Sequence, residues 1–301
     1  MARWTVARSG HVTTPSLETL AYYSCSGDHS APGQFSSCLD GLPQEVGLLT
    51  ATLQHTLIHV LETWRYGVQI PAERRGEVEI GDAQGILARA FDLDSRPLTE
   101  PRPPERRVVT TCHDYAVLLC AILRYQGRPA RPRAGFARYL NQTMWVDHWL
   151  CEVWSPESAR WHRVDAQLDS VQRAGYAISF DPNDVPTEDY LTGAEAWLSC
   201  RMGHLAAEQF GFLRWRGWGY LRHVLLRDAF ALAKHEGLPW VAMGIPLADE
   251  AQVTEREWRL LDELAQAACG LESAPVARLC EQIKVTGRPP DVLPWSLADV
   301  T

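Results

Sequence analysis

Three residues of types suited to nucleophilic chemistry follow one another along the chain: the thiol of Cys112, the imidazole of His148 and the carboxylate of Asp165. A thiolate attacks an acyl carbon, and an imidazole takes and returns the proton. A carboxylate bonded to the second ring nitrogen fixes tautomer and orientation. Such a set breaks an amide or ester through a thioester and passes the acyl group to water or an amine. It works only if the three meet in space, so the elements that carry them come next.

Thr111, with Asp114 three residues on, has the capping-box pattern and sets Cys112 at the first position of a helix. A helix N-terminus offers partial positive charge and free N–H groups, which favour a thiolate and a developing oxyanion. Tyr115, Leu118, Leu119, Ile122 and Leu123 recur at helical spacing, and Ala116, Val117, Cys120 and Ala121 fill the other side. The helix is therefore expected to be buried nearly all round, ending at Gly127 and Pro129. Trp145–Trp154 and Trp161–Asp165 read as strands joined by a turn over 155–159. With Trp154 facing Arg160, His148 falls opposite Ala166, and a slip or bulge of one residue brings Asp165 across from it. Asp147 competes for the carboxylate role, but strand alternation points it away from the His148 face.

Glu45–Tyr66 and Val78–Phe91 have helical periodicity, and the four prolines between 97 and 104 cannot continue a helix. Further helices are expected at Glu188–Met202, Trp218–Glu236 and Glu255–Cys269, with the aromatic run Phe210–Tyr220 as core. This divides the chain into an irregular N-terminal wrap (1–43), a catalytic core (44–170) and a mostly helical extension packed on it (171–301).

The 301 residues are 46% apolar with a net charge of −8, which argues against a nucleic-acid surface. No segment is long and apolar enough for a membrane span or signal peptide, and eight cysteines without a CxxC pair do not form a disulfide framework. A cytoplasmic protein is expected, without membrane or nucleic-acid partners. His55 and His59 stand four apart, as metal ligands do, but lack a following Glu and a third ligand; Cys25, His29 and Cys38 match no zinc pattern. No metal or cofactor is expected. Of the 29 basic residues all but two are arginine. Arg124, Arg128, Arg131, Arg133 and Arg138 cluster after the Cys112 helix, and Arg131 and Arg133, with Trp149, are the substrate-binding candidates.

The runs Thr111–Leu119, Gly127–Arg131, Gly135-Phe136, Asp147–Trp149, Glu152–Trp154 and Trp161–Asp165, with separations of 36 and 17 residues between Cys112, His148 and Asp165, resemble the core of transglutaminase-like proteins over about Glu45 to Asp169. Ala194–Trp197 and Leu238–Trp240 resemble the extension of a bacterial subgroup of mostly unassigned function. The resemblance implies a papain-like α+β fold, with the nucleophile at the start of a central helix packed on an antiparallel sheet. It implies Cys112 as nucleophile, His148 as base and then acid, and Asp165 as orienter, acting on a peptide, amide or ester. Hydrolysis and transfer to an amine, including amide formation in small-molecule biosynthesis, both fit. The competing reading is a non-catalytic scaffold that retains the fold.

Overall fold

The computed structural model describes residues 14–243, 253–283 and 285–287, so the first part of the expected N-terminal wrap lies outside the described residues. In chain order the first elements are α1 (Leu17–Tyr23), α2 (Val46–Thr56), β1 (Leu57–His59), α3 (Ala83–Leu93), β2 (Val108–Thr110) and α4 (Cys112–Tyr125). There follow β3 (Ala130–Ala137), β4 (Trp145–Ser155), β5 (Arg160–Val164), α5 (Ser170–Gly175), β6 (Tyr190–Thr192) and α6 (Gly193–Arg201). The chain continues through β7 (Phe210–Phe212), β8 (Trp215–Arg216), α7 (Trp218–Leu232), β9 (Ala242–Met243), α8 (Glu255–Ala268), α9 (Ser273–Cys280) and β10 (Val285–Gly287). Helices and sheet together make an α+β architecture. Among the described residues no helix is long and apolar enough to cross a membrane.

The main sheet is built on β4. Its whole length from Val146 to Val153 pairs antiparallel with β3, whose far edge takes β6. The other edge of β4 is shared: β7 lies parallel to it at Trp145 and Val146, and β5 antiparallel from Cys151 to Ser155. Between these two partners Asp147 to Leu150 have no strand beside them among the described residues. α4 packs on β3 and β4 together with α2 and α3, while α7 packs on β3 among α6, α8 and α9. The region from residue 171 is thus more than a helical extension, since β6, β7 and β8 complete the sheet begun by β3 and β4. Its helix expected from Glu188 begins only at Gly193, where Thr192 and Glu195 form a reciprocal capping box, and the residues before it pair with β3 instead.

The N-terminal half departs from its periodicity in two places. The helix expected over Glu45–Tyr66 stops at Thr56, and Leu57–His59 pair in parallel with Val108–Thr110. A buried apolar run of this length suits either state, and the tertiary ladder decides. The outer edge of β2 is closed by Glu77, whose carboxylate accepts the Val109 N–H at 2.8 Å and is held by Arg74 and Arg89. The second helix starts later than Val78 because Gly81 takes a left-handed φ of 64° and Asp82 then caps the Gly85 N–H at 2.8 Å. Residues expected to be irregular near the N-terminus contain α1 and a 3-10 turn over Gly33–Leu39.

The arginines that cluster in sequence do not share a surface. Arg124 is buried against Glu236 at the end of α4, while Arg128 donates to the Gln44 carbonyl and Arg138 is exposed. Arg131 and Arg133, the expected substrate binders, are buried and donate to the Glu152 carboxylate at 2.7 and 2.8 Å; Arg133 also forks onto Asp228. Burial pushes the Glu152 carboxyl upward, but Arg133, Arg131 and Arg163 outweigh it and hold the group well below the usual carboxylate range. Removing one partner of such a network leaves uncompensated buried charge, at a cost of about 3–5 kcal/mol. Glu152→Ala is expected to lose about that much in urea unfolding; a change under about 1 kcal/mol would show that the network does not anchor the sheet.

Candidate active site

Cys112 opens α4, and it is the partly exposed position of a helix otherwise buried from His113 to Arg124. The parallel pairing of β1 and β2 delivers the chain to it: Val60 N–H donates to the Thr110 carbonyl at 2.9 Å, two residues before the thiol. The cap is half of the expected box. Asp114 accepts the Thr111 N–H at 2.8 Å, but the Thr111 hydroxyl turns to the same carboxylate at 3.4 Å. His113 is fully buried, with Nε2 on the Glu236 carbonyl at 2.8 Å and its ring edge-on to Trp149. It locks the helix start to the segment after α7.

His148 lies on β4 within the stretch that has no second strand beside it. Its rung partner is Gly135, where an added Cβ would meet the Leu191 carbonyl oxygen at 2.2 Å and the Tyr190 hydroxyl at 2.6 Å. Only glycine lets Tyr190 pass close enough to donate to the Arg133 and His148 carbonyls. The β4–β5 register differs from the expectation by one residue: Trp154 faces Trp161, so β5 runs to Val164 opposite Cys151 and then leaves the ladder. Asp165 reaches His148 as the first residue past that end, not as its cross-strand neighbour. His148 Nε2 bonds Asp165 Oδ2 at 2.8 Å. Tyr139 Oη donates to the same oxygen at 2.6 Å, and the Gln167 N–H donates to Oδ1 at 3.1 Å.

The Cys112 side chain lies close enough to His148 to act on its titration. Because Nε2 is engaged by Asp165, the nitrogen left for the thiol is Nδ1. Burial works to lower the imidazole pKa, but the Asp165 carboxylate and the Cys112 contact outweigh it and raise it from 6.5 to about 10. The ring is therefore cationic at neutral pH. Asp147, the rival carboxylate, accepts from Tyr220 Oη and from Arg227, each at 2.5 Å, and makes no bond to the His148 ring.

These groups border a cavity of about 730 Å³ lined by Cys112, Trp149, Asp147 and His148 from the core and by the β7–β8 hairpin, Tyr220, His223 and Arg227 from the later part of the chain. Of the three expected substrate-binding residues the cavity includes Trp149 and neither Arg131 nor Arg133. The aromatic run expected as core divides: Phe210 is buried, Trp218 packs on Trp197 and Trp258, and Phe212 and Trp215 line the cavity.

Several lining residues were not among the site residues expected from the sequence. His59 is on β1 rather than a helix, so it does not share a helical face with His55. Its Nδ1 accepts the Leu61 N–H at 3.2 Å. It keeps some surface toward the cavity, but packed protein around the rest of the ring pushes its pKa down to about 3, helped by His148 and opposed by Asp165. It is neutral, and its proton is on Nε2. Burial and then Arg227 push His223 down to about 3 as well, with its Nε2 on the Pro239 carbonyl at 3.0 Å. Arg227 is buried and within electrostatic reach of Cys112. Its only sequence signal is that it and Asp228 interrupt the apolar faces of α7. No group of three His, Cys, Asp or Glu side chains among the described residues could hold a metal.

A cysteine at a helix start, beside an imidazole that is bonded to a carboxylate, is an arrangement suited to cysteine-based catalysis. Residues 88–166 match the family model of the transglutaminase-like superfamily, a span that takes in Cys112, His148 and Asp165. Neither a curated protein nor a solved structure matches the chain.

Asp165→Asn is expected to bring the His148 titration, followed by NMR at its ring C–H, down from about 10 toward the ordinary 6.5, because burial then acts with less opposition. An unmoved midpoint would remove Asp165 as the source of the shift. By linkage, the raised value contributes stability that is complete below 6.5 and is lost as pH rises through about 10.

Proposed function

We propose that this protein transfers acyl groups through a thioester on Cys112, with a papain-like arrangement of nucleophile helix and sheet. The observation that carries this reading is that His148, bonded to Asp165 at 2.8 Å, and Cys112 at the start of α4 line one cavity. The Cys112 thiolate attacks the carbonyl of an amide or ester and forms a C–S bond while the carbonyl π pair moves onto oxygen. As the tetrahedral species collapses, the bond to the leaving amine or alcohol breaks, and the His148 imidazolium supplies its proton. Water or an amine then attacks the thioester, neutral His148 takes a proton from it, and the thiolate leaves. Asp165 keeps the imidazole in register throughout.

The developing oxyanion needs donors. The Asp114 N–H of the first turn already donates to the Thr111 carbonyl at 3.1 Å, which leaves the Cys112 and His113 N–H groups at the start of α4, and the Nε2–H of neutral His59 belongs to the same cavity wall. We assign both to it. Arg227 adds a buried positive charge near the thiolate.

With p-nitrophenyl esters as acyl donors, a burst of nitrophenolate and a matching mass increase on Cys112 are expected, and Cys112→Ala should reduce both to background. Burst activity that survives Cys112→Ala would refute the assignment. For His59→Ala, kcat should fall about 10²-fold with KM little changed, and His59→Gln, which keeps an N–H donor, should recover part of it. A loss expressed only in KM would mean that His59 binds substrate and does not stabilise the oxyanion.

A further inference from the structure

Among the described residues, the β7–β8 hairpin is the part of the cavity wall whose charge is left over. Of the carboxylates that line the cavity, Asp147 is taken by Arg227 and Tyr220, and Glu62 by Arg65 and Tyr176. His148 and Cys112 face each other. Arg214 and Arg216 also line the cavity, both are exposed, and neither has a carboxylate within ion-pair distance among the described residues. Arg214 lies 5.3 Å from the centre of the Trp215 ring, which restrains a side chain that has no ionic partner. The protein as a whole carries a net charge of −8, so two unneutralised guanidiniums in the cavity that Cys112 also lines run against its general balance.

The hairpin is also placed with care. Phe212 pairs with Trp215, leaving a two-residue loop of Leu213 and Arg214, and Leu213 sits at a left-handed φ of 52°. That conformation costs a non-glycine residue about 1–2 kcal/mol, and such strain tends to be retained where a loop must aim a side chain. Leu213 is nonetheless a large apolar residue, 47% exposed, on the cavity wall. Because Trp145 pairs with Phe210 and Val146 with Gly211, the hairpin is in register with the strand that carries His148 only two residues later.

We propose that Arg214 and Arg216 select an acyl donor that carries a carboxylate remote from the scissile bond, with the intervening chain lying against Leu213, Phe212, Trp215 and Trp240. The inference rests on the thioester reading of Cys112. Guanidinium forks match the two oxygens of a carboxylate, and a monoanion is less costly to desolvate in so apolar a cavity than a doubly charged phosphate. Nothing comparable is offered to a cationic donor, because both acidic lining groups are already engaged.

The test compares mono-p-nitrophenyl esters of succinic, glutaric and adipic acid with p-nitrophenyl butyrate, valerate and hexanoate, which match them in chain length without the charge. The expected result is acylation at least about ten-fold faster for the charged ester at its best length, a preference that shrinks as salt rises. The Arg214→Gln/Arg216→Gln double variant should bring the charged-to-neutral ratio close to one. Arg259→Gln, which removes an exposed arginine on α8, should leave that ratio as it is. Equal rates at every length, or a ratio that the double variant does not change, would overturn the assignment of the hairpin while leaving the thioester chemistry intact. No burst from either series would overturn the reading of Cys112 itself, and this inference with it.

Discussion

The structure turns on one edge of β4. Along its first edge the strand is paired without a break to β3, which fixes its course, but along the second it is paired only at its two ends. β5 departs after Val164 and β7 joins at Val146, and between them lie Asp147 to Leu150. A strand held this way is rigid yet open on one side. His148 has both properties: its backbone is fixed, and its edge of the strand is open toward the cavity that Cys112 also lines. The departure of β5 is also what releases Asp165 from the ladder to meet the ring.

Three histidines line the same cavity and are driven in opposite directions by their neighbours. Burial lowers the pKa of all three. At His148 an ionised carboxylate and the thiol overcome it, raising the value to about 10. At His59 the opposed charges of His148 and Asp165 leave burial to prevail, and at His223 Arg227 adds to it, so both fall to about 3. The cavity therefore has one imidazole held cationic and two held neutral at neutral pH. This separation comes from placement alone, since the three side chains are chemically identical.

Arginine shows the same lesson. The five arginines clustered after the Cys112 helix have the spacing of a binding surface, yet two of them lie in the buried Glu152 network and a third is sealed against Glu236. Those that meet the cavity, Arg214, Arg216 and Arg227, come from the later part of the chain. Sequence proximity along β3 says which residues share a strand, but strand and helix packing decide which of them meet carboxylates. The dense buried ion pairs hold together a sheet assembled from both halves of the chain.

The sequence by itself determined the local features. Apolar spacing set α4 and its burial, Thr111 and Asp114 put Cys112 at its first position, and aromatic and β-branched runs set β4 and β5. These follow from backbone propensity and side-chain periodicity, which act within a few residues. The tertiary structure decided the rest: the switch from helix to strand at Leu57, the register that brings Asp165 to His148, the strands added by the C-terminal part, and the identity of the cavity wall. Each of these depends on backbone groups finding partners far away in sequence. Periodicity has no means to state which partner that will be, because a short apolar run can satisfy its hydrogen bonds in either conformation and only the available neighbour selects one.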